Sequence, residues 1–560
     1  MARPTIRNGR FPPRQAPIRC SGMEQWDFVI VGAGSAGCVL ADRLSACGRF
    51  RVLLLEAGGS DRSLWVRMPI GYGQAFHHPR LNWRYSTEPV AGAGGRVSYW
   101  PRGRVLGGSS AINAMVFVRG HPADFDAWET RGNPGWGWDA VRPVFERMED
   151  FSAAPAPLRG QGGPLAVSEV SASAHPICEA FLAGCEAVGL PRNPDLNGPG
   201  QEGVGHYQIT TRNGLRASAA TAFLRPAMRR PNLRVIAHAH AVAIRFEGRR
   251  ATGVDYVGGG RRRTAHATRE VIIAAGAVNS PQLLQLSGVG PAGLCRSHGI
   301  EVVHDLPGVG GNLQDHLCID YVYRASRPTL NGVLRPWQGR LSAGLRWLLT
   351  RGGPLALSVN QAGGFFRSDP ARRRPNMQLY FSPLSYVRAA PGKRRLMLPD
   401  PEPGFLLSVS NCHPQSRGHV AIGSADPFAA PAIQPNYLAA RADVEELIDG
   451  TLMLQRIARA APMAAVIDRP LVPDTAPASR AAIEADLRAR AVTVYHPCGT
   501  CRMGPDPATD VVDARLRVHG LGGLRVVDAS VFPLLPAGNT NAAAIMTGWR
   551  GSDLILADHA

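Results

Sequence analysis

The sequence predicts an α/β layer assembled from three separated stretches of chain, joined to an α+β lobe built on an antiparallel sheet. Three observations point there: a strand, glycine turn, helix and second strand near the start, a further strand-turn-helix near residue 275, and a late strand ending in an acid near residue 528.

The first element is the apolar strand Phe28-Val-Ile-Val31, followed by Gly32-Ala-Gly-Ser-Ala-Gly37, an amphipathic run from Cys38 to Ser45, and a strand from Val52 to Leu55 that ends in Glu56. This is a dinucleotide-binding βαβ fingerprint with an acid about 20 residues beyond the last glycine. Gly32 permits the tight turn, Gly34 lets the backbone approach a pyrophosphate, and Gly37 lets the helix pack on the strand. The N–H groups of the helix N-terminus offer a partial positive charge, and Glu56 offers acceptors for an adenosine ribose. The motif by itself separates neither NAD from FAD. Glu270 to Ala275 forms the next strand, leading through Gly276-Ala-Val-Asn-Ser-Pro281 into a helical stretch from Gln282 to Leu286. Leu524-Arg-Val-Val-Asp528, followed by Ala529 and Ser530, reads as a late strand returning beside the first to bring Asp528 to the cofactor's ribityl or phosphate portion. A simple NAD domain is contiguous, so this dispersal favours a flavin dinucleotide. Between these stretches, period-2 patches at Met377 to Phe381, Leu406 to Val409 and His419 to Ile422, with a helical pattern from Val444 to Ile457, predict an antiparallel sheet with helices that caps the substrate pocket.

The 560 residues are 45% hydrophobic and 19% charged, and no run of 18 apolar residues occurs, which argues against disorder and against a spanning helix. The formal net charge is +19, yet Lys393 is the single lysine, and short arginine runs such as Arg261 to Arg263 are scattered among turns. That pattern reads as arginine bias on solvated loops rather than a nucleic-acid face, with attraction to an anionic membrane as the remaining alternative. The ten cysteines are dispersed and read as free thiols of a reducing, cytoplasmic compartment; Cys498 and Cys501 form a CxxC without the second pair that a zinc ribbon needs, and no metal is expected. Residues 1–22 hold five arginines, four prolines and no acid, and read as a disordered basic tail or a start-site artefact ahead of Met23.

Longer motifs carry a resemblance. In order they are Gly32 to Gly37 with Glu56, Pro101-Arg-Gly-Arg-Val-Leu-Gly-Gly-Ser-Ser-Ala-Ile-Asn113-Ala-Met-Val116, Gly276 to Gly290, Asn312-Leu-Gln-Asp-His316, Tyr495-His-Pro-Cys-Gly-Thr-Cys-Arg-Met-Gly504 and Pro536-Ala-Gly-Asn-Thr-Asn541. Together, across residues 24 to about 555, the chain resembles the glucose-methanol-choline (GMC) oxidoreductases, and within them the choline dehydrogenase-like and alkyl alcohol dehydrogenase branch. The resemblance implies an FAD-binding domain of the glutathione-reductase-like Rossmann type at 23–158, 198–318 and 490–560, with a substrate-binding domain at 159–197 and 319–489. It implies oxidation of a primary alcohol to the aldehyde by hydride transfer to flavin N5, with a quinone or similar acceptor, or O2, taking the electrons.

By the same resemblance His496 is the base, suited by an ordinary imidazole pKa near 6.5, and Asn539 orients the hydroxyl without competing for its proton. The cofactor-binding positions it implies are Gly32, Gly34, Ser35, Ala36, Gly37, Glu56 and Ala57 around the phosphates and ribose, and Val242 at the adenine. Val105 and Gly108 fall in the cofactor channel, Asn113, Ala114, Met115 and Val116 along the isoalloxazine, with Tyr495, Asp528 and Ala529. Thr540 and Asn541 start a helix whose positive end faces the reduced ring. Two departures matter. The position of a histidine tether to the flavin is Ile112, which implies a non-covalent cofactor. The glutamate that meets a quaternary ammonium in choline-oxidising relatives is replaced in Asn360-Gln361-Ala-Gly-Gly-Phe365, which disfavours choline and favours a neutral alcohol. Alternatives on the same scaffold are an oxidase using O2, a choline dehydrogenase, and a non-redox hydroxynitrile lyase or photodecarboxylase.

Overall fold

The computed structural model describes residues 25–154, 156–386 and 398–560. The basic tail, Met23 and Lys393 lie outside the described residues. Val52–Glu56 is buried throughout and reads Val-Leu-Leu-Leu-Glu, the near-continuous apolar run of a strand covered on both faces. It sits between Leu233–Ala237 and Gln25–Val31, both parallel to it. Gln25–Val31 pairs in parallel with the end of the long strand Arg261–Ile273, whose last residues pair with Leu524–Val526. The late strand therefore does return to this sheet, but beside Arg261–Ile273, which separates it from the first strand, instead of beside the first.

The N-terminal part of Arg261–Ile273 also supports an antiparallel meander, Ala239–Glu247 and Arg250–Gly258, which periodicity alone had not marked. Helix Ser35–Ala46 lies over the parallel strands against helix Asn541–Asp558. Helix Gly276–Leu286 starts at Gly276 rather than after Pro281, and Pro281 sits inside it.

The second sheet runs Ile467–Val472, Leu317–Ala325, Gly404–Asn411, Met377–Ser382, Ala362–Phe366, Gly203–His206, each pair antiparallel. Its alternation has a direct use. Met377, Leu379, Phe381, Phe405, Leu407 and Val409 point into the core beneath helix Arg441–Arg459, while Tyr380, Ser382, Leu406 and Ser408 point the other way and roof a cavity. Two assignments differ from expectation. Gly203–His206 lies within the stretch 198–318 yet forms an edge of this sheet; Gly-Val-Gly-His carries no alternating pattern that would announce it. His419–Ala421 pairs with Ala432–Gln434 in a separate ribbon instead of joining the sheet. Among the described residues no helix is long and apolar enough to cross a membrane, and no cluster of three or more metal-ligating side chains occurs.

Candidate active site

One continuous cavity of about 300 Å³ is lined at one end by the glycine turn and at the other by His496 and Asn539. At the first end Gly32 takes φ +99° and a Cβ on Gly37 would meet the Gly32 carbonyl at 1.9 Å, so strand and helix approach as only glycine allows. Helix Ser35–Ala46 opens into the cavity with neither a capping side chain nor an acid in its first turn, leaving its N–H groups for an anion. Glu56 accepts hydrogen bonds from the Ala33 N–H (2.8 Å) and the Gly58 N–H (2.7 Å), and burial pushes its carboxyl up to about 7.

Gly32, Gly34, Ser35, Ala36, Glu56, Ala57 and Gly108 line this end, with Asp528 and Ala529 beside them. Gly37 and Val105 lie behind the wall. Val242 also stands back from it, at a place where the register of Ala239–Glu247 against its neighbour skips from Ala241 to Ala243. Asp528 faces the cavity, but its carboxylate also takes the Gly276 N–H (2.8 Å), the Ser280 hydroxyl (2.6 Å) and the Ser530 N–H (2.7 Å), so it holds the start of helix Gly276–Leu286.

Asn113, Ala114, Met115, Val116, Tyr495, Thr540 and Asn541 line the other end. Tyr495 and Met115 take φ of 70° and 64°, strained values for side-chain-bearing residues, and both line this end of the cavity. Helix Asn541–Asp558 begins without a side-chain cap, and Asn541 Oδ1 accepts from the Ser35 hydroxyl at 2.8 Å, tying the two uncapped helix ends together. Asn539 lies before this helix and is not its cap.

Two hydrogen-bond chains set the protons at His496. In the first, the Cys412 carbonyl can only accept, so His316 Nε2 (2.9 Å) carries a proton; neutral His316 then presents a lone pair at Nδ1. His496 Nδ1, 3.0 Å away, is therefore the donor, and its Nε2 is bare. In the second, the Leu379 carbonyl takes the Tyr207 hydroxyl proton (2.6 Å), so Gln378 Nε2 donates to Tyr207 (3.0 Å) and to Asn539 Oδ1 (3.3 Å). That turns the Asn539 amide so that Nδ2–H donates to His496 Nε2 at 3.2 Å. Both chains, starting from unrelated backbone carbonyls, leave the same nitrogen unprotonated.

Burial first, then His316 and the Arg102 guanidinium, holds His496 well below the usual imidazole range, and burial lowers His316 to about 4. Both rings are neutral near pH 7. The backbone N–H of His496 donates to Asp315 Oδ1 (2.7 Å), whose other oxygen accepts from the hydroxyls of Thr493 (2.5 Å) and Tyr437. His316 sits in the Asn312 to His316 motif, so a sequence signal existed without a role attached to it. The Cys412 carbonyl left none, because backbone acceptors are anonymous in a sequence.

The two lobes and the cavity between them define an oxidoreductase built around a dinucleotide cofactor, with an imidazole and an amide where substrate must lie. The uncapped helix ends, the glycine wall and Glu56 fit FAD. Two GMC oxidoreductase family models match, over residues 26–318 and 414–548. The chain is 44% identical over 536 residues to the alcohol dehydrogenase [acceptor] of Pseudomonas putida, covering 95% of this chain and 96% of that one. It is 40% identical to the mitochondrial choline dehydrogenase of Mus musculus, covering 97% and 91%. Among solved structures, pyridoxine 4-oxidase from Mesorbium loti matches with a TM-score of 0.85 at 32% identity, covering 95% and 99%. The chain belongs to the GMC oxidoreductase family, and it is an FAD-dependent enzyme of alcohol oxidation.

Proposed function

We propose that the enzyme oxidises a neutral primary alcohol to its aldehyde, with His496 as the base, FAD held non-covalently, and a quinone-like acceptor regenerating the cofactor. The observation that carries this is the bare Nε2 of His496, fixed by both hydrogen-bond chains and facing the cavity. FAD bound here supplies the two-electron sink that takes the hydride from the carbinol carbon. His496 Nε2 takes the hydroxyl proton as the C–H bond breaks and the C=O bond forms. Asn539 Nδ2–H, released from Nε2 as that lone pair turns to substrate, hydrogen-bonds the alcohol oxygen and holds it in place.

Tyr72, Phe76, Met115 and Leu406 give the pocket apolar walls, and Ile112 stands where a tether would need a nucleophile. The P. putida relative's name leaves its acceptor unspecified, which is compatible with a quinone. A cytoplasmic protein held at the inner membrane surface would meet a quinone there. A second reading is a cationic alcohol such as choline, favoured by Asp320, which puts a carboxylate in the cavity wall although position 360 is Asn, and by the choline dehydrogenases at 40% identity.

The deciding experiment is anaerobic reduction of the bound flavin across aliphatic alcohols of rising chain length, aryl alcohols and choline. Fastest bleaching by a neutral alcohol supports the proposal, and faster turnover of choline replaces it with the second reading. No bleaching by any of them would return the non-redox lyase or photodecarboxylase alternatives. Stoichiometric peroxide in air would mark an oxidase.

A further inference from the structure

Helix Trp337–Thr350 stands against the substrate lobe with its apolar residues turned outward. Trp337, Leu341, Leu345, Leu348 and Leu349 are 51–82% exposed, whereas Ala343 and Trp347 are each 4% exposed. At one turn per 3.6 residues the five exposed side chains fall within an arc of about 120°, and Ala343 and Trp347 face the opposite side. The inner face is anchored: Trp347 Nε1 donates to the Gly214 carbonyl at 2.9 Å. A core helix would bury this stripe, so its exposure marks a contact surface.

The charges on this element name the contact. Arg340 and Arg351 fall on one flank of the stripe and Arg346 on the other, with Arg335 just before it, and 331–353 contains no acid. Among the described residues none of these four arginines forms an ion pair; Arg335 donates to the Pro399 carbonyl (2.9 Å) and Arg351 stacks on Trp347 (4.5 Å), which leaves Arg340 and Arg346, one on each flank, without a carboxylate partner. An exposed apolar stripe bordered by unpaired arginines matches an anionic bilayer, with leucines at the acyl boundary and guanidinium groups among phosphates. A second copy docking here by two-fold symmetry would bring arginine against arginine.

The segment leading into the helix is bonded to the cavity wall. Leu334 packs on a cluster with Tyr72, Phe76, Tyr386 and Leu406, all of which line the cavity, and Asn331 Nδ2 donates to the Ser385 carbonyl at 3.1 Å. Resting on the reading that a membrane quinone is the acceptor, we propose that helix Trp337–Thr350 is the element that docks the enzyme onto anionic lipid, holding the adjoining end of the cavity at the membrane.

The test is co-sedimentation of the FAD-loaded full chain with vesicles of phosphatidylcholine alone or mixed with phosphatidylglycerol, at low and high salt. The parent protein binds the mixed vesicles at low salt. Leu345→Gln combined with Leu348→Gln weakens binding roughly tenfold or more, and Arg340→Gln with Arg346→Gln removes most of the salt dependence. Turnover with a water-soluble dye is unchanged in both. Indifference of the parent to anionic vesicles at low salt overturns the inference, as does a parent dimer that the leucine substitutions convert to monomer. Quinone arms keep the two readings apart. Vesicle binding without reduction of embedded quinone leaves the docking helix standing and sinks the acceptor, while reduction of detergent-dispersed quinone without vesicle binding does the reverse.

Discussion

Replacing His316 tests the proton arrangement at its root, because this residue does not touch the substrate and acts only by accepting from His496 Nδ1. In His316→Phe that buried donor has no partner, at a cost of about 1–3 kcal/mol. His496 escapes it by moving its proton to Nε2, the nitrogen that must be bare. At about 1.4 kcal/mol per factor of ten, the rate of anaerobic flavin reduction at saturating alcohol falls roughly 5- to 150-fold. The loss is of the same size from pH 6 to 8, because the wrong neutral tautomer, rather than the charge state, is responsible. His316→Asn places an amide oxygen where Nδ1 was and recovers much of the rate, although it too loses the bond to the Cys412 carbonyl. Stopped-flow reduction with flavin content and Tm measured alongside separates this from general damage. Equal impairment of both variants, or an unchanged rate in His316→Phe, would refute the tautomer assignment.

Asn539→Asp sets a carboxylate beside His496 Nε2, so the imidazole pKa rises as the negative charge favours the protonated ring. The parent stays competent as pH falls past 6.5 because its ring is held neutral, whereas the variant loses rate as pH falls through the raised value; coincident acid limbs would count against the contact. Gly108→Ala drives a Cβ to 2.6 Å from the Gly34 Cα at a φ of +52°, costing about 1–3 kcal/mol and bound flavin, and a full flavin complement at the parental Tm would contradict the packing. Glu56 titrates at about 7 in the fold and near 4.5 unfolded, so in the apoprotein its contribution is complete below pH 4.5 and is lost as pH rises through 7. Glu56→Gln abolishes that decline, and superimposable curves of Tm against pH would disprove it.

The sequence was most legible where a residue type is demanded by backbone geometry. The glycines at 32 and 37, the acid ending the second strand and the late strand at 524 are each forced by a turn, a close approach or a buried parallel pairing, and each leaves a distinctive letter. The roof of the cavity was legible for a related reason: Met377 to Phe381 alternates because one face meets a helix and the other the cavity. Gly203–His206 was not legible, since two glycines erase the alternation that identifies a strand. The meander of Ala239–Glu247 and Arg250–Gly258 was hidden because its register skips between Ala241 and Ala243 and between Arg245 and Phe246, which breaks the alternation that marks a strand. At the site itself, His496 and Asn539 came from motif resemblance, but the proton positions that suit them to their proposed roles depend on the carbonyls of Cys412 and Leu379, which any residue could have supplied.

The hydrogen bond between Ser35 and Asn541 joins residues 506 positions apart, and Val271 pairs with Leu524 across half the polypeptide. A ribosome therefore finishes nearly the entire chain before the cofactor's resting place can close. Until then the parallel strands have an open edge, the kind of surface that recruits other strands during synthesis. Flavin capture becomes a late checkpoint on completeness: a nascent chain arrested before residue 524 has the glycine fingerprint but no enclosed place to use it.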